Sequence, residues 1–297
     1  MGSNFPSTRP QGMAAYRAPS LFQPHRARQA IRDAHEKKIP PMLGYYAGLS
    51  SLPITRFLAP MGYDAVWIDW EHTSCSVETM TSMVHETMFV SEGRTIPWVR
   101  VPGHDHAAIG YALDAGASIV IPQVETVEQA KHIVSAAKFG AKRNGTRSAP
   151  PFRLVPGITD AVVDAAHGDI WTNLNEQAAI MIQIETEAGV HNLDAILTAV
   201  PDIDAVWLGQ LDARISMGLP GNGGMGGAEP EWTSLVEKFY ATLKKHDKPF
   251  GGFGLGSPEQ VKAANANASL LFIGADVLQL HAMNQRLVET RAAFATN

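Results

Sequence analysis

Eight short apolar runs recur along the chain, each followed by a stretch with helical spacing, and parallel strands need such crossovers to pair in one sheet. The runs cover residues 42–46, 64–69, 96–101, 118–121, 179–185, 205–208, 249–253 and 270–273. Helices are expected at residues 25–38, ahead of the first strand, and then at 53–59, 77–90, from Asp105 onward, 125–139, 190–200, 232–246, 257–264 and 278–294. Pro40-Pro41 stops the first helix, and Asp105 is placed as an N-cap. Such alternation is the pattern of a (β/α)8 barrel, with a doubly wound open sheet as the alternative. Two observations favour the barrel. No Gly-x-Gly-x-x-Gly turn follows the first strand, and polar residues recur at the ends of several different strands.

Residues 1–22, rich in Gly, Ser, Pro and Arg, are expected to form a disordered tail, leaving residues 23–297 as one barrel domain. They lack the apolar core of a secretory signal or membrane anchor. A net charge of -5 with scattered basic residues gives no footprint for nucleic acid. The single cysteine, Cys75, excludes an intrachain disulfide and a multi-cysteine zinc site, and a reducing, cytoplasmic setting is expected. Residues 140–176 break the periodic pattern with Pro150-Pro151 and Pro156-Gly157. A connection of that length suits a lid or binding loop, with Arg143, Arg147 and Arg153 either a solvated face or a lid over an anionic substrate, the latter favoured.

The run ending at Glu185 sends Met181, Gln183 and Glu185 to one face, because side chains alternate along a strand. Asp212 lies just beyond the next strand, so two carboxylates stand at adjacent strand ends and can share one cation. Asp69, Glu71 and His72 follow the second strand and Arg100 ends the third; Asp69 shares parity with Trp67, and Arg100 with Trp98. Any one carboxylate at a strand end can serve only as a helix cap. Repetition over four strands favours a site. Two carboxylates without a cysteine suit a hard cation, Mg²⁺ or Mn²⁺, that completes its shell with water and substrate oxygens. A substrate with adjacent carboxylate and carbonyl oxygens would chelate it. Asp69 can hold the His72 imidazole as an oriented base, or the histidine can cap its loop. Two other groupings are candidates: His104-x-His106 for zinc, read more simply as loop residues, and Gly252-Phe-Gly-Leu-Gly256-Ser257 for phosphate, read more simply as a tight turn.

Five segments in order, Ile68-Asp69-Trp70-Glu71-His72, Val99-Arg100-Val101-Pro102, Leu113-Asp114-Ala-Gly-Ala117 with Ile121-Pro122-Gln-Val124, Gln183-Ile-Glu185-Thr-Glu187 and Gly209-x-x-Asp212, closely resemble the HpcH/HpaI family of metal-dependent pyruvate aldolases. The resemblance runs from about residue 24 to residue 283. It implies a carbon–carbon lyase with Glu185 and Asp212 as metal ligands, for Mg²⁺ with Mn²⁺ or Co²⁺ able to replace it. Gln183 would hold the metal's waters or the substrate, and the amides around Leu211 and Asp212 would receive the substrate carboxylate. Arg100 would contact the keto oxygen, and His72, oriented by Asp69, would handle the proton. The substrates implied are a keto acid, oxaloacetate or pyruvate, and an acceptor. Protonation of a pyruvate enolate gives a decarboxylase, attack on an aldehyde an aldolase, and attack on a 2-pyrone an annulation to a benzoate, for which Trp67, Trp70, Phe152 and Trp171 offer flat walls. A metal-independent barrel binding phosphate at residues 252–257 is the alternative class. The family also implies a homo-oligomer, a hexamer built as a trimer of dimers with the last helix exchanged. The departure is Gly209-Gln-Leu-Asp212-Ala-Arg-Ile-Ser216, where many aldolases carry Gly-Pro-x-Asp-Leu-Ser.

Overall fold

Alternation of small or aromatic inward residues with branched outward ones closes the eight runs into a single barrel. The computed structural model describes residues 12–140, 142, 144–163 and 168–295, so residues 1–11 of the expected tail and Arg143 lie outside the described residues. The strands are β1 (Met42–Ala47), β2 (Ala65–Asp69), β3 (Ile96–Arg100), β4 (Ser118–Ile121), β5 (Ile180–Ile184), β6 (Ala205–Leu208), β7 (Phe250–Phe253) and β8 (Leu270–Ala275). Each is parallel to the next, and β8 pairs with β1, which leaves no open edge. Helices α1 (Ala27–His35), α2 (Leu52–Leu58), α3 (Val77–Val90), α4 (His106–Ala115), α5 (Val127–Ala137), α6 (Ile170–Gln177), α7 (Glu187–Ala199), α8 (Gln210–Ser216), α9 (Pro230–Lys245), α10 (Pro258–Ala264) and α11 (Asp276–Phe294) connect and flank them.

Two layers of apolar packing follow from the strand parity. Trp67, Trp98, Met181, Trp207 and Phe272 fill the interior, while Val66, Ile68, Val99, Ile182 and Val206 face the helices. The Phe272 ring fits because Gly44 stands opposite: a Cβ there would meet Phe272 Cε1 at 2.6 Å. Local chemistry fixes the helix starts. Asp105 accepts from the Ala107 and Ala108 amides at 2.9 Å each, and Thr126 with Gln129 forms a capping box on α5.

The lower end of the barrel is sealed by sequence read above as tail and lid. Helix α1 packs Ala27, Ala30 and Ile31 against the first inward residues of the strands, Met42 and Ala65 among them. Residues 12–22 are ordered rather than a tail: Tyr16 is buried and its hydroxyl donates to Asp33 at 2.8 Å, and the Ala18 amide donates to His25 Nδ1 at 2.9 Å. Low hydrophobicity reads as disorder, but one aromatic ring and one buried imidazole anchor this segment.

The stretch after α5 is likewise no lid. It leads from a helix to the next strand, and such connections lie at the end opposite the strands' C-termini. Arg153, 0% exposed, donates to the carbonyls of Phe22, Leu113 and Asp114. Arg147 donates to Asp114 Oδ1 at 2.6 Å, and Gln23 donates to the carbonyls of Thr159 and Ala161. Within the stretch, Asp169 caps α6 by accepting from the Thr172 amide at 2.7 Å. At the other end of the chain α11 buries only Asp276.

Arg153→Met leaves three backbone carbonyls short of a donor in a buried position, and unfolding in urea is expected to show a loss of about 2 kcal/mol. Ligand affinity at the opposite end of the barrel is expected to stay the same. A stable variant with weakened ligand binding would restore the lid reading.

Candidate active site

The pairing of β2 with β3 sets Asp69 directly opposite Arg100 at the C-terminal mouth. Arg100 donates from Nε to Asp69 Oδ1 at 3.0 Å and from Nη2 to Oδ2 at 2.6 Å, a two-pronged pair in a buried setting. Tyr46, the last inward residue of β1, donates its hydroxyl to Asp69 Oδ2 at 2.6 Å and accepts from Arg100 Nη2 at 3.0 Å. Burial alone would raise the Asp69 carboxyl, but Arg100, Tyr46 and His72 bring it below the usual carboxylate range. Burial likewise works against the charge on Arg100, and Asp69, Tyr46 and Glu71 more than offset it. No acceptor among the described residues meets Arg100 Nη1.

Trp67 lies one layer below. It is 1% exposed, with Arg100 5.6 Å above its ring centre and Trp207 edge-on at 5.0 Å. It supports the guanidinium rather than forming an open wall. Of the other suggested walls, Phe152 lies in the lower stretch, Trp171 packs on Phe139 at that end, and Trp70 donates to the Cys75 carbonyl.

Glu185, just past the end of β5, is 3% exposed. Its Oε2 accepts from the Gln123 amide at 2.8 Å and its Oε1 from Gln183 Nε2 at 3.1 Å. Gly209 makes room for it, since a Cβ at that position would meet Glu185 Oε1 at 2.4 Å. Burial pushes the Glu185 carboxyl up to about 7; Asp212 and Glu71 add to the rise, while the Gln123 amide and Arg100 oppose it. Asp212 stands in the first turn of α8, exposed. Gln183 Oε1 is buried without a partner.

His72 departs from its expected arrangement. Asp69 holds Arg100 and Tyr46, and reaches His72 only through the backbone amide, at 3.4 Å. The imidazole is 66% exposed, with Nε2 3.5 Å from Glu71 Oε2. Glu71 Oε2 in turn lies 3.2 Å from Arg100 Nε, so Glu71 joins the histidine to the arginine. Burial raises the Glu71 carboxyl, Arg100 and His72 counter this, and Asp69 and Asp212 reinforce it.

Two site residues escaped the sequence reading. Tyr46 had a usable signal, as the inward-facing end of the first strand. Gln123 sits in the left-handed region at φ 53, which aims its amide at Glu185, and only its place after Pro122 hinted at a turn.

Other candidates do not converge. His104 Nε2 meets the Pro122 carbonyl at 2.7 Å and His106 Nε2 the Thr146 carbonyl at 3.2 Å, so each has its own backbone partner. In the glycine-rich turn after β7 the Ser257 amide is taken by Gln260 Oε1 at 2.9 Å, so that amide is not free to receive a phosphate. Among the described residues no three His, Cys, Asp or Glu side chains gather for a metal. A cation at Glu185 and Asp212 would therefore complete its shell from water and substrate, as Mg²⁺ does. The uncompensated charge of Glu185 and the orphaned Gln183 Oε1 fit such an ion.

Residues 43–240 match the HpcH/HpaI aldolase/citrate lyase family. Among solved structures, macrophomate synthase is 33% identical, with 96% of this chain and 97% of that chain covered and a TM-score of 0.85. An HpcH/HpaI aldolase/citrate lyase family protein from Burkholderia cenocepacia is 27% identical, with 89% and 98% covered and a TM-score of 0.72. A 5-keto-4-deoxy-D-glucarate aldolase from Salmonella arizonae is 28% identical over 251 residues, which are 84% of this chain and 91% of the relative. The chain belongs to the HpcH/HpaI aldolase/citrate lyase family and is an enzyme of the aldolase and lyase type.

Proposed function

We propose that the enzyme decarboxylates oxaloacetate to a pyruvate enolate and adds that enolate to an electrophilic acceptor, in the manner of a macrophomate synthase that converts a 2-pyrone to a benzoate. The observation that carries this reading is the buried Glu185 carboxylate beside Asp212, facing an arginine locked by Asp69 and Tyr46. Similarity to macrophomate synthase over nearly the whole of both chains supports it. A second reading, cleavage of a 4-hydroxy-2-oxo acid or a 2-keto-3-deoxy acid to pyruvate and an aldehyde, is supported by the glucarate aldolase relatives. Both share the enolate.

Glu185 and Asp212 would hold the ion, Mg²⁺ with Mn²⁺ or Co²⁺ as substitutes. When bound, it supplies the positive charge that orients the carboxylate and carbonyl oxygens of the keto acid and stabilises negative charge on the latter. The protein does the rest. Arg100 keeps Nη1 for the carbonyl oxygen, and its other nitrogens are fixed, so little reorganisation is needed as charge develops. The amides of Leu211 and Asp212, at the open start of α8, receive the substrate carboxylate. Gln183 holds water or substrate through its free Oε1. His72, joined to Arg100 through Glu71 and open to solvent, exchanges the proton that ends the reaction.

Assembly into a homo-oligomer, a hexamer with α11 exchanged between subunits, is part of the proposal. Leu280, Met283, Leu287 and Val288 on α11 are all exposed in the single chain, an apolar surface that a neighbour would cover. Among the described residues no helix is long and apolar enough to cross a membrane. Sedimentation velocity is expected to give six copies, and Leu280→Glu with Met283→Glu to give smaller species. A wild-type monomer at micromolar concentration would sink the assembly.

Oxaloacetate decarboxylation by the Mg²⁺-loaded enzyme is the direct test. Glu185→Gln and Arg100→Lys are each expected to lower kcat/KM by about 10²-fold or more, because each removes charge stabilisation made at the reacting oxygen. Unchanged rates in Glu185→Gln would show that the ligand is misassigned.

Glu185 also predicts a pH dependence that needs no turnover. Its carboxyl rises from 4.5 to about 7 on folding, so the folded state binds the extra proton and the metal-free protein loses stability as pH rises through that window. The loss is on the order of 3 kcal/mol in urea unfolding, is absent in Glu185→Gln, and is reversed by millimolar Mg²⁺ at pH 8. Equal pH slopes in wild type and variant would remove this account.

A further inference from the structure

The mouth of the barrel is chemically divided. Strands β2, β3, β5 and the start of α8 bring Asp69, Arg100, Glu185 and Asp212, while β7, β8 and β1 bring no charged side chain to the interior: their inward residues nearest the mouth are Phe253, Ala275 and Tyr46. Phe253 stands out because it is inward-facing yet 44% exposed. Its ring meets Trp207 edge-on at 5.2 Å and 90° and Tyr46 at 5.8 Å and 81°. Tyr46 touches Arg100, so one aromatic surface runs from the charged half of the site across to β7.

Polar side chains that border this half are already committed. The Tyr46 hydroxyl donates to Asp69 and accepts from Arg100. Asp276, after β8, accepts from the Gly48 and Leu49 amides at 2.9 Å each. Ser50 donates to Thr73 at 2.6 Å, and Ser257 is spent on the start of α10. A polyhydroxylated acceptor placed here would give up water without finding side-chain partners, which is costly for each hydroxyl buried. A flat conjugated ring would meet ring edges and faces in the tilted arrangements that aromatic groups prefer.

We infer that Phe253 is the specificity-determining residue of the acceptor side, its exposed ring selecting the flat, conjugated acceptor of the proposed reaction over a polyhydroxylated aldehyde. This rests on the proposed enolate chemistry for its meaning in turnover, but not for binding.

The test is calorimetric titration of the enzyme loaded with Mg²⁺ and pyruvate, using benzaldehyde and glyceraldehyde as probes, with oxaloacetate decarboxylation measured alongside. Benzaldehyde is expected to bind at least tenfold more tightly than glyceraldehyde. Phe253→Ala is expected to raise the benzaldehyde Kd about tenfold, and Phe253→Leu, which keeps apolar bulk without the ring, about threefold. Glyceraldehyde binding should move less than twofold in both. Equal affinity for the two probes in wild type, or a benzaldehyde Kd within twofold of wild type in both variants, overturns the inference. Loss of decarboxylation in the wild-type control would instead count against the enolate reading, while the titration still decides the role of Phe253.

Discussion

A carboxylate buried at the mouth of this barrel, with the charges of Asp212 and Glu71 adding to the cost of its own, is the constraint around which that mouth is arranged. Glu185 loses its hydration on folding, and its local partners are a single amide, from Gln123, and a single side-chain amide, from Gln183. Neither carries the full positive charge that would offset burial. Arg100, the nearby cation, is already matched to Asp69 and Tyr46. The site thus keeps one anion paired and another wanting, and that imbalance makes a cation with open coordination positions the natural complement. Gly209 leaves the carboxylate its place, because a Cβ there would meet Glu185 Oε1 at 2.4 Å.

Much of the architecture was legible because strand parity is a strict rule. Ala65, Trp67 and Asp69 share one face as expected, and so do Met181, Gln183 and Glu185; the eight runs fall within a residue or two of the observed strands. Helix α3 matches its expected bounds, its Met residues lying buried at helical spacing. What parity could not supply was the partner of each polar end. Asp69 follows Trp67 by two and precedes His72 by three, so proximity in sequence suggested a carboxylate–histidine pair. The register of β2 against β3 gives Asp69 to Arg100 instead. Helix α6 was missed because Ile170-Trp-Thr-Asn-Leu-Asn-Glu-Gln177 is poor in strong helix formers and sits within a Pro- and Gly-rich stretch; tertiary packing of Ile170 and Leu174 decides it.

Length and charge were misleading at residues 140–176, where an unusually long connection bearing arginines resembles a lid. Direction of travel settles its place: a segment running from helix to strand belongs to the end that carries no chemistry. There Arg153 donates to backbone carbonyls that would otherwise be stranded under the barrel floor, Arg147 pairs with the Asp114 carboxylate, and Gln23 donates to the Thr159 carbonyl, which together join the start of the chain to the middle. The two ends of the barrel therefore differ in kind. The lower end is closed by hydrogen bonds within the chain, and the upper end keeps groups with capacity to spare.

Gln123 links the charge of the site to the shape of its backbone. A side-chain-bearing residue at φ 53 holds a conformation that costs roughly 1 kcal/mol or more, and here its amide gains a bond to an ionised carboxylate in return. That return shrinks when Glu185 is neutral. The turn after β4 and the carboxyl group it borders are therefore coupled through one bond: the backbone cost carried at Gln123 is offset by the hydrogen bond to Glu185, and that bond is strongest when the carboxyl is charged.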